Sequence, residues 1–222
     1  HELKNPLTSL RSAAETISRI KNQRQQKALM SVILEDVTRL DRLISDISQA
    51  SRVEAELAGT KRDTVDFCAL VDSWVLMMRD RYPKSQLIWR PPLKSKTIKN
   101  FYTNIHTDRI IQILDNLLVN AISFNPKEKD IEIKLDFIGK NAKKLCFSIQ
   151  DNGDGIPEAN LDTIFNRFYS QRPNNEAFGH HSGLGLSIAR QIAEAHGGKL
   201  YAGNSEKKGA IFFLELPIAN PE

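Results

Sequence analysis

Asp151-Asn152-Gly153-Asp154-Gly155-Ile156-Pro157 follows directly on Leu145-Cys146-Phe147-Ser148-Ile149-Gln150, and the rest of the chain organises around this junction. The alternation in the second stretch predicts a half-buried strand, which places Asp151 at a strand end with its carboxylate pointing out of the sheet. Gly153 and Gly155 can take positive φ and let backbone approach a flat ring closely. An ionised Asp151 only accepts hydrogen bonds, as an exocyclic purine amine requires. Asn-Gly and Asp-Gly are also ordinary hairpin-turn signals, so the loop needs support from elsewhere in the chain.

Working outward, Ile131 to Phe137 alternates strictly and predicts a strand, turned by Gly139 to Lys144 into the one that delivers Asp151. Ala69 to Met78 predicts a helix, Gln86 to Trp89 a strand, and Arg109 to Ile122 a helix capped by Thr107 or Asp108. Gly183 to His196 predicts a helix stopped by Gly197-Gly198, followed by strands at Lys199 to Tyr201 and Ala210 to Leu216. Helices and strands mix with few tight βαβ units, which argues for one helical layer on a mixed sheet, an α/β sandwich.

The N-terminal part has another texture. Leu3, Leu7, Leu10, Ala14 and Ile17, and again Ile33, Val37, Leu40, Ile44 and Ile47, recur at heptad spacing across a short polar connection at Lys21 to Gln26. This predicts an antiparallel hairpin whose narrow apolar seam two copies would close as a four-helix bundle; the alternative is a hairpin folded back on the domain C-terminal to it. Ala58 to Asp63 breaks the pattern. The expected division is therefore a hairpin at 1–57, a linker at 58–63 and an α/β domain at 64–222, an α+β chain as a whole.

Composition excludes several classes. The 222 residues carry 31 basic and 27 acidic side chains, interspersed, with net charge +4 and pI near 9.0, which describes a solvated surface and not a nucleic-acid stripe. No run approaches the ~20 apolar residues of a membrane span. Opening at His1, the sequence reads as a fragment, so any membrane attachment is expected only through segments outside it. A helix frays at its first turn, so any chemistry at His1 is expected to be slower here than with the helix extended upstream. Cys68 and Cys146 lie far apart in apolar segments and read as core packing in a reducing compartment.

Three further stretches carry chemistry. Gln112, Asn116 and Asn120 repeat every four residues and form one amide stripe on a helix. Asn is a mediocre helix former, so either a Mg²⁺ ion with nucleotide phosphates uses those carbonyl oxygens, or they bond a neighbouring loop. Ser182-Gly183-Leu184-Gly185-Leu186, after a polar stretch from Ser170 to Ala177, presents backbone N–H groups at a helix start to phosphate, like a lid. His180 and His181 lack an acidic or thiol partner for a metal. His1-Glu2 offers an imidazole nucleophile and a carboxylate to hold its ring, beside Pro6, which cannot donate to the carbonyl of Glu2.

His1 to Leu10, Asp115 to Asn125, Asp151 to Pro157, Ile164 to Tyr169 and Ser182 to Ile188 resemble, in order and spacing, the H, N, first glycine, F and second glycine boxes of bacterial sensor histidine kinases. The resemblance covers essentially the whole chain. It implies a homodimeric phosphotransfer hairpin followed by a GHKL (Bergerat) ATP-binding sandwich. It makes His1 the phosphoacceptor, Glu2 its base, Asn120 the Mg²⁺ ligand with Asn116 beside it, and Asp151 the adenine contact. Gly153, Gly155, Ile156, Phe165, Phe168, Ser182, Gly183, Leu184, Gly185 and Leu186 would shape the ATP site, and Asn5 would serve dephosphorylation of a receiver domain. His1 to Ala13 and Arg39 to Leu57 are similar to the ChvG/ExoS-type envelope sensors of alphaproteobacteria, which implies an OmpR-like response regulator and a cytoplasmic catalytic region of an inner-membrane sensor. Two departures stand out: Ser123 where many relatives carry Lys, leaving Arg167, Arg172 or Arg190 as phosphate cations, and His181 where they carry Gly. A GHKL ATPase that only changes shape, or a dimeric ATP-binding scaffold, are the alternatives to a kinase.

Overall fold

In the computed structural model, which describes residues 4–17, 20, 22–34, 36–38, 40, 44, 61–92, 101–126, 129–138, 144–169, 183–206 and 208–219, the alternating stretches form strands. β4 (Asp130–Ile138) and β5 (Lys144–Gln150) pair antiparallel, with Ile133 opposite Ile149 and Leu135 opposite Phe147. Side chains alternate across a strand, so this register gathers Ile131, Ile133, Leu135, Leu145, Phe147 and Ile149 on one buried face. With β2 (Gln86–Arg90), β6 (Lys199–Asn204) and β7 (Ala210–Pro217) they make a sheet in the order β2-β4-β5-β7-β6, parallel only between β2 and β4. The other face carries Glu132, Lys134 and Asp136, and the stacked rings of Tyr201 and Phe213, 5.0 Å apart. A sheet buried on one side suits a single helical layer.

β1 (Asp63–Asp66) and β3 (Tyr102–Ile105) pair antiparallel in a separate two-stranded sheet. At four residues each, they are too short for alternation to announce them. β1 begins on Asp63, the last residue of the expected linker, while residues 58–60 lie outside the described part.

Three helices meet the buried face. α3 (Phe67–Arg81) starts before the expected Ala69 because Asp66 caps it, accepting from the N–H groups of Cys68 and Ala69 at 3.0 and 3.2 Å. Its Phe67 and Trp74 stand edge-on to Phe147, 6.4 and 6.3 Å between ring centres. α4 (Thr107–Phe124) corrects the expected cap: Thr107 and Asp108 lie inside its first turn, and His106 holds the cap position without a side-chain cap bond. Fully buried Ile105 ends β3 one residue earlier, so His106 is the whole joint between strand and helix. α5 (Gly185–Ala195) is shorter than the expected Gly183–His196, since Gly183 at φ 69° is outside helical geometry. It ends as expected at Gly197, φ 72°, with Gly198 N–H bonded to the Ala193 carbonyl at 2.9 Å. β6 runs to Asn204, three residues past the expected Tyr201.

The chain divides into two compact units, His1–Arg52 with Arg167–Gly185, and Val53–Asn166 with Leu186–Glu222. In the first, α1 (Lys4–Ile17) is the first expected helix, and α2 (residues 23–34) leads into the second, whose Val37, Leu40 and Ile44 are helical while Ile47 lies outside the described residues. Asn22 caps α2, its Oδ1 accepting from Arg24 N–H at 2.9 Å, so residues 23–26 of the expected polar connection are helical. Leu10 and Ile17 are half-buried as expected, while between them Ala13 is buried and the expected Ala14 exposed. Leu7, Leu34, Val37 and Ile44 remain 44–59% exposed on the single chain. Among the described residues no helix is long and apolar enough to cross a membrane.

Candidate functional site

Asp151 follows directly on β5 and is only 3% exposed. Its N–H bonds the Ala210 carbonyl at 3.1 Å, and its Oδ1 accepts from the N–H groups of Gly153 at 2.8 Å and Ala210 at 3.1 Å. The carboxylate is thus enclosed instead of pointing outward, because the chain doubles back at Gly153 and β7 begins alongside. Burial pushes its pKa up, opposed by the hydrogen bonds from Gly153 and Ala210. Gly155 takes φ 80° as expected, but Gly153 does not have positive φ; its need for glycine is space, since a Cβ there would lie 2.5 Å from the Phe124 carbonyl oxygen.

Other elements hold the same loop. Asn125, just past α4, accepts from Asn152 N–H at 2.8 Å and donates to the Lys129 carbonyl at 2.6 Å, while Asn152 Nδ2 donates to the Asp130 carbonyl at 2.6 Å. Asn204, at the end of β6, takes both main-chain groups of Ile156. Asn125, Asn152, Asn204, Gly209 and Ala210 were not anticipated as site residues. Asn125 had a signal, an Asn-Pro pair closing a helix; Asn204 had none, since its partner is 48 residues away.

On α4, Gln112, Asn116 and Asn120 share one half-buried face. Gln112 Oε1 accepts from Arg109 Nη1 at 3.1 Å, within its own helix, and among the described residues the Asn120 amide meets no partner. Amide oxygens on a half-buried face suit a hard cation that takes neutral oxygens together with phosphate and water. One turn away from Gln112, Asp115 accepts from Trp74 Nε1 at 2.8 Å and is a strut to α3. Among the described residues no group of three or more His, Cys, Asp or Glu could hold a metal.

Phe165 is buried edge-on to Phe212, 6.3 Å between ring centres, and the Arg190 guanidinium lies 3.8 Å over its ring. Arg190 Nε also points to the Leu200 carbonyl at 3.4 Å, so of the three cations offered in place of a lysine at 123, this one is committed. Arg167 is exposed, and Arg172 lies outside the described residues. Phe168 has φ 65°, and its N–H bonds the Gly183 carbonyl at 3.0 Å. Leu184 is buried, Gly185 opens α5 and Leu186 is half-buried. His1, Glu2, His180, His181 and Ser182 lie outside the described residues; Asn5 falls in α1 with its side chain outside them.

Behind the site, buried His196 places Nδ1 2.7 Å from the Ile192 carbonyl and accepts the His106 N–H at Nε2, 3.0 Å. That acceptor role requires a neutral ring protonated on Nδ1. Burial holds its pKa below the ordinary 6.5, helped by Arg62 and His106.

Residues 105–220 match the family of histidine kinase-, DNA gyrase B- and HSP90-like ATPases, and residues 1–56 the His Kinase A phospho-acceptor domain. The sensor protein ChvG of Agrobacterium fabrum is 45% identical over 99% of the chain, and that of Rhizobium meliloti 46% over 98%. The chain spans 38% and 39% of the length of these two relatives. The Acinetobacter baumannii histidine kinase AdeS shares the fold, with TM-score 0.67 at 24% identity over 99% of this chain and 98% of that one. The chain belongs to the sensor histidine kinases, with a phospho-acceptor domain followed by a GHKL-type ATPase domain.

Proposed function

We propose that this chain is the catalytic region of a two-component kinase, which phosphorylates itself on His1 from ATP, passes the phosphoryl group to an aspartate of an OmpR-like response regulator, and removes it again with the help of Asn5. The observation that carries the nucleotide part is Asp151. Both of its loop hydrogen bonds end on Oδ1, so Oδ2 is left to accept from the exocyclic amine of adenine. Ile156 would offer an apolar wall to the ring, while Gly153 and Gly155 let the loop pack closely on Phe124 and Asn204. Gly183, Leu184, Gly185 and Leu186, leading into α5, offer N–H groups and a helix N-terminus suited to phosphate. Asn120, with Asn116 beside it, would hold Mg²⁺, which when bound neutralises phosphate charge.

In the transfer, the His1 imidazole nitrogen forms a bond to the γ-phosphorus as the bond to the β-γ bridging oxygen breaks. ADP leaves with that electron pair, and Glu2 takes the imidazole proton. Such chemistry depends chiefly on positioning and charge stabilisation. Exposed Leu7, Leu34, Val37 and Ile44 support pairing of two copies into a four-helix bundle. The names of the relatives, sensor proteins, support a cytoplasmic location below an inner-membrane sensor, and a division at 1–57, 58–63 and 64–222 suits the two matched domains. The test is incubation with γ-labelled ATP. Acid-labile, base-stable label that disappears in His1→Gln is expected; ATP hydrolysis without it would favour an ATPase that only changes shape, and binding without either a scaffold.

A further inference from the structure

The loop from Asp151 to Ile156 is anchored at three points by three different elements: Ala210 of β7 at Asp151, Asn125 after α4 at Asn152, and Asn204 of β6 at Ile156. The third differs in kind. Asn204 Oδ1 accepts the Ile156 N–H at 2.8 Å, and its Nδ2 donates to the Ile156 carbonyl at 2.6 Å. A primary amide offers donor and acceptor side by side in one plane, so this single side chain supplies Ile156 with the pair of bonds a neighbouring strand would give. The approach is close: Gly155 takes φ 80°, and a Cβ there would lie 2.8 Å from Asn204 Oδ1. The turn after Asn204 packs on the other end of the loop, because a Cβ on Gly209 would lie 1.9 Å from the Asp151 carbonyl oxygen. Ser205 N–H closes that turn on the Gly209 carbonyl at 2.9 Å. Lys208 and Asp154, 3.1 Å apart, are well exposed and add little.

We propose that Asn204 is a positioning residue of the nucleotide site, fixing Ile156 as the wall against the purine while Ala210 fixes Asp151 at its edge. This rests on the reading of Asp151 as the adenine contact. Without Asn204 the loop keeps its Asp151 end and loses its Ile156 end, so recognition of the base should suffer and recognition of phosphate should not.

The test measures binding of ATP and of inorganic tripolyphosphate to the whole chain by calorimetry, with Asn204→Ala and Asp151→Asn side by side. Asn204→Ala should weaken ATP about tenfold, leave tripolyphosphate unmoved, and release the Ile156 amide to fast hydrogen exchange. Equal weakening of both ligands would show a merely structural role, and unchanged ATP affinity would also overturn the proposal. If Asp151→Asn loses ATP while Asn204→Ala keeps it, only the role of Asn204 falls; if Asp151→Asn also binds normally, the adenine reading falls with it. Should Asn204→Ala prove unfolded, Asn204→Asp replaces it: it retains the oxygen opposite Ile156 N–H and loses the donor to the Ile156 carbonyl, so ATP should again weaken and tripolyphosphate stay unmoved, with the Ile156 amide still protected, and unchanged ATP affinity would overturn the proposal.

Discussion

Asp151→Asn separates what this residue does for the fold from what it does for the ligand. The amide is nearly the size of the carboxylate, and its oxygen can still accept from Gly153 and Ala210 N–H at the Oδ1 position, 2.8 and 3.1 Å away. Burial has pushed the Asp151 pKa above its ordinary 3.8, so ionising this group costs more in the folded state than in the unfolded chain. A raised carboxyl pKa means stability contributed by this group is present below 3.8 and declines as pH rises through the folded value. At neutral pH the wild type therefore bears the cost of an ionised buried group, and the variant should melt no lower. The ligand sees the opposite. Oδ2 becomes an NH₂ group that faces the adenine amine donor to donor. Losing a charge-assisted bond and leaving the amine unpaired should cost about 3 kcal/mol, or roughly a hundredfold in Kd. Calorimetry with Mg-ATP at pH 7.5, beside thermal melting of both proteins, measures the two effects independently. A well-folded variant that binds ATP within about threefold of wild type would refute the assignment of Oδ2 to adenine.

His196 should make stability depend on pH in the other direction from a raised carboxyl. Its folded pKa is lowered from 6.5, so its contribution is present above 6.5 and lost as pH falls below that value, when a proton on Nε2 would confront the His106 N–H. Urea titrations between pH 5.5 and 8 should show this slope in wild type and a flatter one in His196→Gln; identical slopes would exclude the histidine. Trp74→Phe keeps most of the contact with Phe147 but leaves Asp115 without its indole donor and opens a small cavity. A loss of about 2 kcal/mol is expected, seen as a lower urea midpoint at constant m-value. Asn120→Asp, on a half-buried face, should fold as wild type by circular dichroism yet weaken Mg-ATP at least about tenfold, through added charge beside the phosphates; wild-type affinity would remove Asn120 from the metal site.

What the sequence announced, and what it withheld, depends on the range of the interactions involved. β4 and β5 were plain because their alternation is local and the buried face of the sheet enforces it, so one residue of slip would have exposed Ile133 and Phe147 together. The stop of α5 was plain because Gly197-Gly198 carries its own conformational preference. The caps of α3 and α4 show the limit. Asp66 caps by a local rule and could have been read, whereas the cap of α4 is His106, whose N–H is taken by a histidine 90 residues later. Thr107 and Asp108 were sound choices by propensity and lost to that distant partner. The nucleotide loop divides the same way. Asp151, Gly153 and Gly155 stand out because one short stretch concentrates a carboxylate and two glycines. Asn204 and Ala210 hold that stretch in place, yet one is a polar residue ending a strand and the other a small residue beginning one. Their roles come from β6 and β7 being sheet neighbours, with Asn204 paired to Ala210 in the register and β7 lying next to β5. A ligand-contacting residue is conspicuous because its chemistry is unusual for its position. A residue that holds it steady does so with ordinary hydrogen bonds to the main chain of the loop, and only the completed sheet shows where those bonds go.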